Sequence, residues 1–269
     1  MRVLVVTAVA AEADAVAAGL GRYAASGVRE LTGGYEIKGH AQYTPRPGSV
    51  QIPVIDVLAG GVGPTAAAVA TATALAASPY DPPYHLVVAA GIGGGFQPHA
   101  PVGSLVVADS IVAADLGADS PDGFAAVEEL GFGRSVRRPH PEFSARMARA
   151  LGASGDSTGS SGPAGASGGS RTPSGPAALL APILTVSTAT GTAARTAELA
   201  ARHPRAAAEA MEGYGVAEAA AVHGVPCTEI RAISNAVGPR DRASWRIGPA
   251  LEALRNAFTL LTPIFEEPS

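Results

Sequence analysis

The chain has 269 residues, 47% of them apolar, and a formal net charge of −4, so it can bury a sizeable core and carries no basic footprint for nucleic acid. No charge-free apolar run is long enough to span a bilayer, and Glu12 and Asp14 interrupt the apolar N-terminus before a signal-peptide cleavage signature could appear. A lone cysteine, Cys227, excludes an internal disulfide framework and a cysteine-rich zinc site, and it fits a reducing cytoplasm. A cytoplasmic small-molecule enzyme is the expected class, with neither membrane nor nucleic acid as partner.

Val3–Val9 is a continuous apolar run rich in β-branched residues and reads as the first strand, followed by a helical pattern from Ala11 to Leu20. Val54–Ala59 reads as a second buried strand. It ends in Gly60-Gly61-Val62-Gly63, before an alanine-rich helix that runs to about Ala77. His85–Ala90 is a third strand, ending in a glycine loop from Gly91 to Gly95, and Leu105–Val112 follows too closely for a crossover helix. Leu180–Thr188 and Cys227–Ile233 read as further strands, with helices over Ala193–Arg202, Met211–His223 and Pro249–Leu261. This alternation predicts an α/β fold, a three-layer αβα sandwich with a central mixed sheet. Gly152–Pro176 consists largely of Gly, Ser, Ala and Pro and reads as a mobile surface insertion within one domain spanning residues 1–269.

The glycine loops invite a dinucleotide reading. Gly61-Val62-Gly63-Pro64-Thr65-Ala66 fits G-x-G-x-x-A, but the next strand ends in Val88-Ala89-Ala90-Gly91, with no acid to hold a ribose. The Gly91 loop leads into a strand and so offers no helix N-terminus to pyrophosphate. Tight turns that let the backbone approach a bound group are the alternative. Glu12 stands at the start of a helix, where a carboxylate also serves the helix dipole, so by itself it points equally to structure and to function. Glu212 lies in the apolar run Ala210-Met211-Glu212-Gly213-Tyr214-Gly215, just inside a predicted buried helix, where an acid needs a partner. Ser234 and Asn235 end a strand, the position at which open α/β sheets place ligands.

Taken together these segments resemble the methylthioadenosine/S-adenosylhomocysteine nucleosidases and purine nucleoside phosphorylases over nearly the whole chain apart from the insertion. The likeness rests on the first strand with Glu12, on Ala59–Gly63, on Ala90–Phe96 leading to Val102–Asp109, and on Met211-Glu212 followed by Arg231-Ala232-Ile233-Ser234-Asn235. The resemblance implies a nucleoside site. In it Glu12 activates water, Glu212 binds the ribose hydroxyls, Met211 packs beneath the ribose, Arg231 pairs with Glu12, and Asn235 faces N7 of the purine. It places Trp245 against the 5′ substituent, and it assigns Val62, Ile92, Gly93, Gly94, Thr190, Gly191, Thr192 and Ser234 to the substrate-binding surface. The phosphate ligands of the hexameric-type phosphorylases are replaced here by Ala89 and Ile92, which favours water as the acceptor. The nucleosidases carry aspartate where this chain has Asn235, and a neutral amide donor suits the N7 and O6 acceptors of a 6-oxopurine. The run Ser234–Trp245 resembles the version of this segment in the futalosine hydrolase family. That likeness implies release of hypoxanthine on the futalosine route to menaquinone, with no cofactor or metal, by a homo-oligomer. The alternatives are an adenine-specific nucleosidase, a phosphorylase and a non-catalytic nucleoside-binding protein.

Overall fold

In β1 (Arg2–Thr7) the side chains alternate between two apolar cores. Val3 and Val5 pack on one side with Val16, Leu20, Leu254 and Phe258, while Leu4 and Val6 pack on the other with Ala67, Ala70, Val216 and Ala220. A strand buried on both faces reads as an unbroken apolar run, and two covered faces make three layers. The computed structural model describes residues 1–41, 54–79, 84–152 and 178–266. Apart from Gly152, the low-complexity stretch Gly152–Pro176 lies outside the described residues.

In chain order, α1 (Ala10–Gly19) follows β1, then an edge hairpin of β2 (Ala24–Glu30) and β3 (Glu36–Ala41), then β4 (Val54–Ala59) and α2 (Pro64–Ala76). Next come β5 (Leu86–Gly95), β6 (Leu105–Ala113), the small hairpin β7 (Gly117–Ser120) and β8 (Gly123–Ala126), β9 (Val136–Arg137) and α3 (Pro141–Gly152). The last third holds β10 (Leu179–Thr185), α4 (Ala193–Arg202), β11 (Ala208–Ala210), α5 (Gly213–Val222), β12 (Cys227–Ala236) and α6 (Ile247–Glu266). The main sheet runs β11-β10-β6-β12-β5-β1-β4-β3-β2, with β9 paired to β6. β5, β1 and β4 are parallel, β12 is parallel to β5, and β6 runs antiparallel to β12, so the sheet is mixed. β6 follows β5 in sequence, yet β12 lies between them. β11 pairs with β10 and also, antiparallel, with β5, which closes β5, β12, β6, β10 and β11 into a ring.

Several boundaries differ from the sequence reading. Gly91–Gly95 is the second half of β5 rather than a loop, paired residue by residue with β12. Glycines are needed here for space: a Cβ on Gly95 would stand 2.0 Å from Ala100 O, and one on Gly93 would stand 2.7 Å from Glu209 O. β12 continues past Ile233 to Ala236, with an irregularity between Ile233 and Asn235. α5 begins at Gly213, which makes Glu212 its N-cap and not a residue inside the helix. α2 and α5 cross in close contact, and a Cβ on Gly215 would meet Pro64 O at 1.9 Å. Among the described residues no helix is long and apolar enough to cross a membrane.

Candidate active site

A cavity of about 390 Å³ opens where β1, β5, β10 and β12 end, the crevice at strand C-termini that α/β sheets offer to ligands. Its wall carries Glu12, Val62, Ile92, Gly93, Gly94, Thr190, Gly191, Met211, Glu212, Ser234, Asn235 and Trp245.

Glu12 is fixed by backbone alone. Glu12 is the third residue of α1, and its carboxylate bends back over the N-cap, Val9, to the backbone that precedes the helix. Its Oε2 accepts from Ala8 N at 2.9 Å and Val9 N at 3.3 Å, and its Oε1 accepts from Ile92 N at 2.8 Å. These bonds occupy three of the roughly four acceptor positions of a carboxylate. The remaining one, on Oε1, is left for the cavity that Glu12 lines.

Glu212 is held differently. Its Oε1 accepts from Gly63 N at 3.2 Å, and its Oε2 accepts from Arg231 Nη1 at 3.0 Å. Gly61 and Gly63 have φ of +93° and +95°, a region closed to most L side chains, so the turn that aims Gly63 N at Glu212 requires glycine. Arg231 is fully buried on β12, and its Nε donates to Glu229 Oε1 at 2.8 Å. Burial opposes its charge, but Glu229, Glu212 and Glu12 together hold the guanidinium above its ordinary pKa. Burial pushes the Glu229 carboxyl up, against the pull of Arg231. The result is a row in which Glu212 lines the cavity and Arg231 and Glu229 stand behind it.

Two expected placements therefore change. Arg231 does not line the cavity, and it pairs with Glu212 and Glu229 rather than with Glu12. It still approaches Glu12 across Gly91, where a Cβ would stand 2.6 Å from Glu12 Oε1 and 2.7 Å from Arg231 Nη1. Thr192 also lies off the wall, because its side chain caps α4 by accepting from Arg195 N at 3.2 Å.

At the other end, Asn235 Nδ2 donates to Ala236 O at 3.0 Å, and Ser234 Oγ donates to Asn235 Oδ1 at 2.7 Å. The carbonyl of Ala236 only accepts, which fixes the amide nitrogen on that side and leaves it a second hydrogen to offer. Trp245 lies on the wall beneath the Arg240 guanidinium, 5.7 Å from the ring centroid.

Sequence reasoning missed two charged wall residues, Arg240 and Glu209. Glu209 is buried in β11, where its Oε1 accepts from Thr190 N at 2.8 Å and its Oε2 from Thr190 Oγ1 at 2.5 Å. Burial raises its pKa, and the bonds from Thr190 oppose the rise. The signal was an acid in the apolar run Ala206–Ala210, a pattern overshadowed by Glu212 three residues later. Among the described residues no cluster of three or more His, Cys, Asp or Glu side chains is arranged to hold a metal ion.

Comparison with known proteins converges on one family. The family model of the phosphorylase superfamily matches residues 2–262. The chain is 53% identical over 212 residues to the futalosine hydrolase of Streptomyces coelicolor, covering 78% of this chain and 80% of that one. It is 41% identical over 261 residues to the futalosine hydrolase of Acidothermus cellulolyticus, covering 96% and 89%. Among solved structures, a mutant methylthioadenosine nucleosidase of Helicobacter pylori, with 5′-methylthioadenosine in its active site, superposes with a TM-score of 0.73. It shares 18% identity over 99% of both chains, a likeness of fold.

Proposed function

The chain belongs to the phosphorylase superfamily, and from that premise we propose that its cavity uses water, activated by Glu12, to split a purine nucleoside. The reaction is hydrolysis of the N-glycosidic bond of futalosine with release of hypoxanthine, a reading supported by the relatives at 53% and 41% identity, which are futalosine hydrolases. The observation that carries the assignment of residues is the convergence of Glu12, Glu212 and Asn235 on one cavity.

Cleavage of the bond builds positive charge on the ribose and negative charge on the departing purine. Glu12 accepts a proton from water aimed at C1′, using the acceptor position that the backbone leaves free. Three backbone N–H groups fix its direction, so little reorganisation is needed as the water attacks. Glu212 holds the ribose hydroxyls and fixes C1′ in line between water and base. Arg231 orients Glu212, and Glu229 offsets the charge of Arg231, so the ribose faces an excess of carboxylates as it becomes cationic. The amide of Asn235 donates to the purine as it leaves, and a 6-oxopurine accepts at both N7 and O6.

Hydrolysis is favoured over phosphorolysis by the wall itself. Ala89 is fully buried in β5, and Ile92 presents an aliphatic side chain while its N–H is already given to Glu12. Neither offers a side-chain donor to an anion. One β-sheet recruits strands from Arg2 to Ala236, which supports reading the chain as a single domain. Family likeness, together with the exposed Val9 and Val62 at the cavity mouth, supports a homo-oligomer. The assay that tests the function measures free base from futalosine, inosine and methylthioadenosine, with and without phosphate. Hypoxanthine release from futalosine without phosphate is expected; faster release of adenine from methylthioadenosine would reassign the substrate.

A further inference from the structure

β5 carries Gly94 between two strands that both bear polar residues on the cavity wall. On one side Gly94 is paired with Asn235 of β12, and on the other with Glu209 of β11. Adjacent strands lie about 4.8 Å apart, and because the ring curls the sheet here β11 and β12 approach within 8 Å of each other across β5. The gap is open because Gly94 has no side chain: a Cβ there would come within 3.4 Å of Asn235 Nδ2 and 2.9 Å of Val237 Cγ2. Both flanking side chains line the same cavity. A flat heterocycle seated in that cavity can face both side chains, with a hydrogen bond of about 2.9 Å to each.

The two ends differ in chemistry. Asn235 presents an N–H donor, fixed by Ala236 O. Glu209 presents acceptors only: Thr190 takes one position on each of its oxygens, and each oxygen keeps a second lone pair. The mechanism above makes no use of this carboxylate, although burying one is costly. The edge that complements a donor at one end and an acceptor at the other carries acceptors N7 and O6 followed by a donor at N1. That is the edge of a 6-oxopurine. Adenine has an acceptor at N1 and would set its lone pair against the carboxylate.

Resting on the assignment of this cavity to a purine nucleoside, we propose that Glu209 is a specificity-determining residue that accepts the N1–H of hypoxanthine while Asn235 donates to its N7 and O6 edge. Glu209 and Asn235 thus read the base from opposite sides of Gly94, and Thr190 holds the carboxylate in place through its backbone and hydroxyl.

The test compares kcat/KM for futalosine and for its 6-amino analogue, which share the 5′ group, in wild type and in Glu209→Gln. The glutamine carbonyl still accepts from Thr190 N, so support of the 187–192 loop is retained, while its amide can donate to N1 of adenine. The expected result is a roughly ten- to a hundred-fold fall for futalosine and a smaller fall, or a gain, for the 6-amino analogue. An equal fall for both would show that Glu209 only supports the loop, and would overturn the proposal. Where the variant fails to fold, product inhibition of the wild type decides: hypoxanthine should inhibit at least ten-fold more strongly than 1-methylhypoxanthine, and equal inhibition would overturn the proposal. Wild-type turnover is measured first. No hypoxanthine from futalosine would sink the hydrolase reading and this one together, whereas an active enzyme with an unmoved ratio sinks only the role of Glu209.

Discussion

The two ends of the cavity are built by opposite means. At the ribose end the carboxylates are locked by backbone N–H groups and by a fully buried guanidinium, with Glu12 and Arg231 packed at Gly91, Glu212 held by Gly63 N and Glu229 packed at Gly213. At the base end a neutral amide and a carboxylate tied to Thr190 flank a bare glycine, and the wall continues into the Arg240–Trp245 pair near solvent. The ribose end concentrates charge where charge develops in the reaction; the base end distributes donors and acceptors along an edge. Damage to the first should therefore reduce rate and stability, and damage to the second should alter choice of substrate.

The largest effect that would break this division falls on Arg231. Arg231→Ala strips the cation from two buried carboxylates, one of which already has an oxygen, Glu229 Oε2, without a hydrogen-bond partner. Breaking such a pair costs about 3–5 kcal/mol of stability, measurable by urea unfolding. An apolar double replacement, Arg231→Met with Glu229→Leu, should restore much of that stability without restoring activity. Equal stability of Arg231→Ala and wild type would show that the row is not an ion-paired unit.

A smaller effect is expected at Asn235. Asn235→Asp places an ionised group against N7 and O6 and should cost futalosine about 1–3 kcal/mol in kcat/KM, with a smaller loss for the 6-amino analogue. An unchanged ratio of the two substrates would remove Asn235 from base reading. The smallest effect is no change at all. Phosphate should neither speed base release nor appear in the sugar product, because Ala89 and Ile92 give an anion no side-chain donor; formation of ribose 1-phosphate products would contradict this.

How much of this was visible in the sequence follows from the same physics. β1, β4 and the first half of β5 are buried on both faces and announce themselves as largely apolar runs, and β12 keeps part of that signal although Glu229 and Arg231 interrupt it, so the central sheet and its mixed character were legible. The edge hairpin β2–β3 was not, because Ala24–Glu30 is largely exposed and shows no alternation. α3 buries only Ser144, Met147 and Leu151, a spacing of three and four that a polar sequence disguises. β11 is three residues long, too short to signal itself, and with it went Glu209. Glycine at 91–95 looked like a loop because small residues mark both turns and crowded strands; only pairing with β12 separates the two. The residues joined by local sequence, such as Met211 with Glu212 and Ser234 with Asn235, were found. The Glu212–Arg231–Glu229 row depends on α5 meeting β12, a tertiary contact no local pattern encodes.

The central claim is that rate resides at the ribose end and selectivity at the base end, and one variant tests it most directly. Glu12→Gln keeps the shape of the side chain but cannot accept the proton of water. Its kcat/KM should be measured for futalosine and for the 6-amino analogue. Both values should fall by the same factor, roughly 10²–10⁴, with the ratio between the substrates unchanged. A variant that keeps more than about a tenth of wild-type turnover, or that loses one substrate far more than the other, would contradict the assignment of water activation to Glu12.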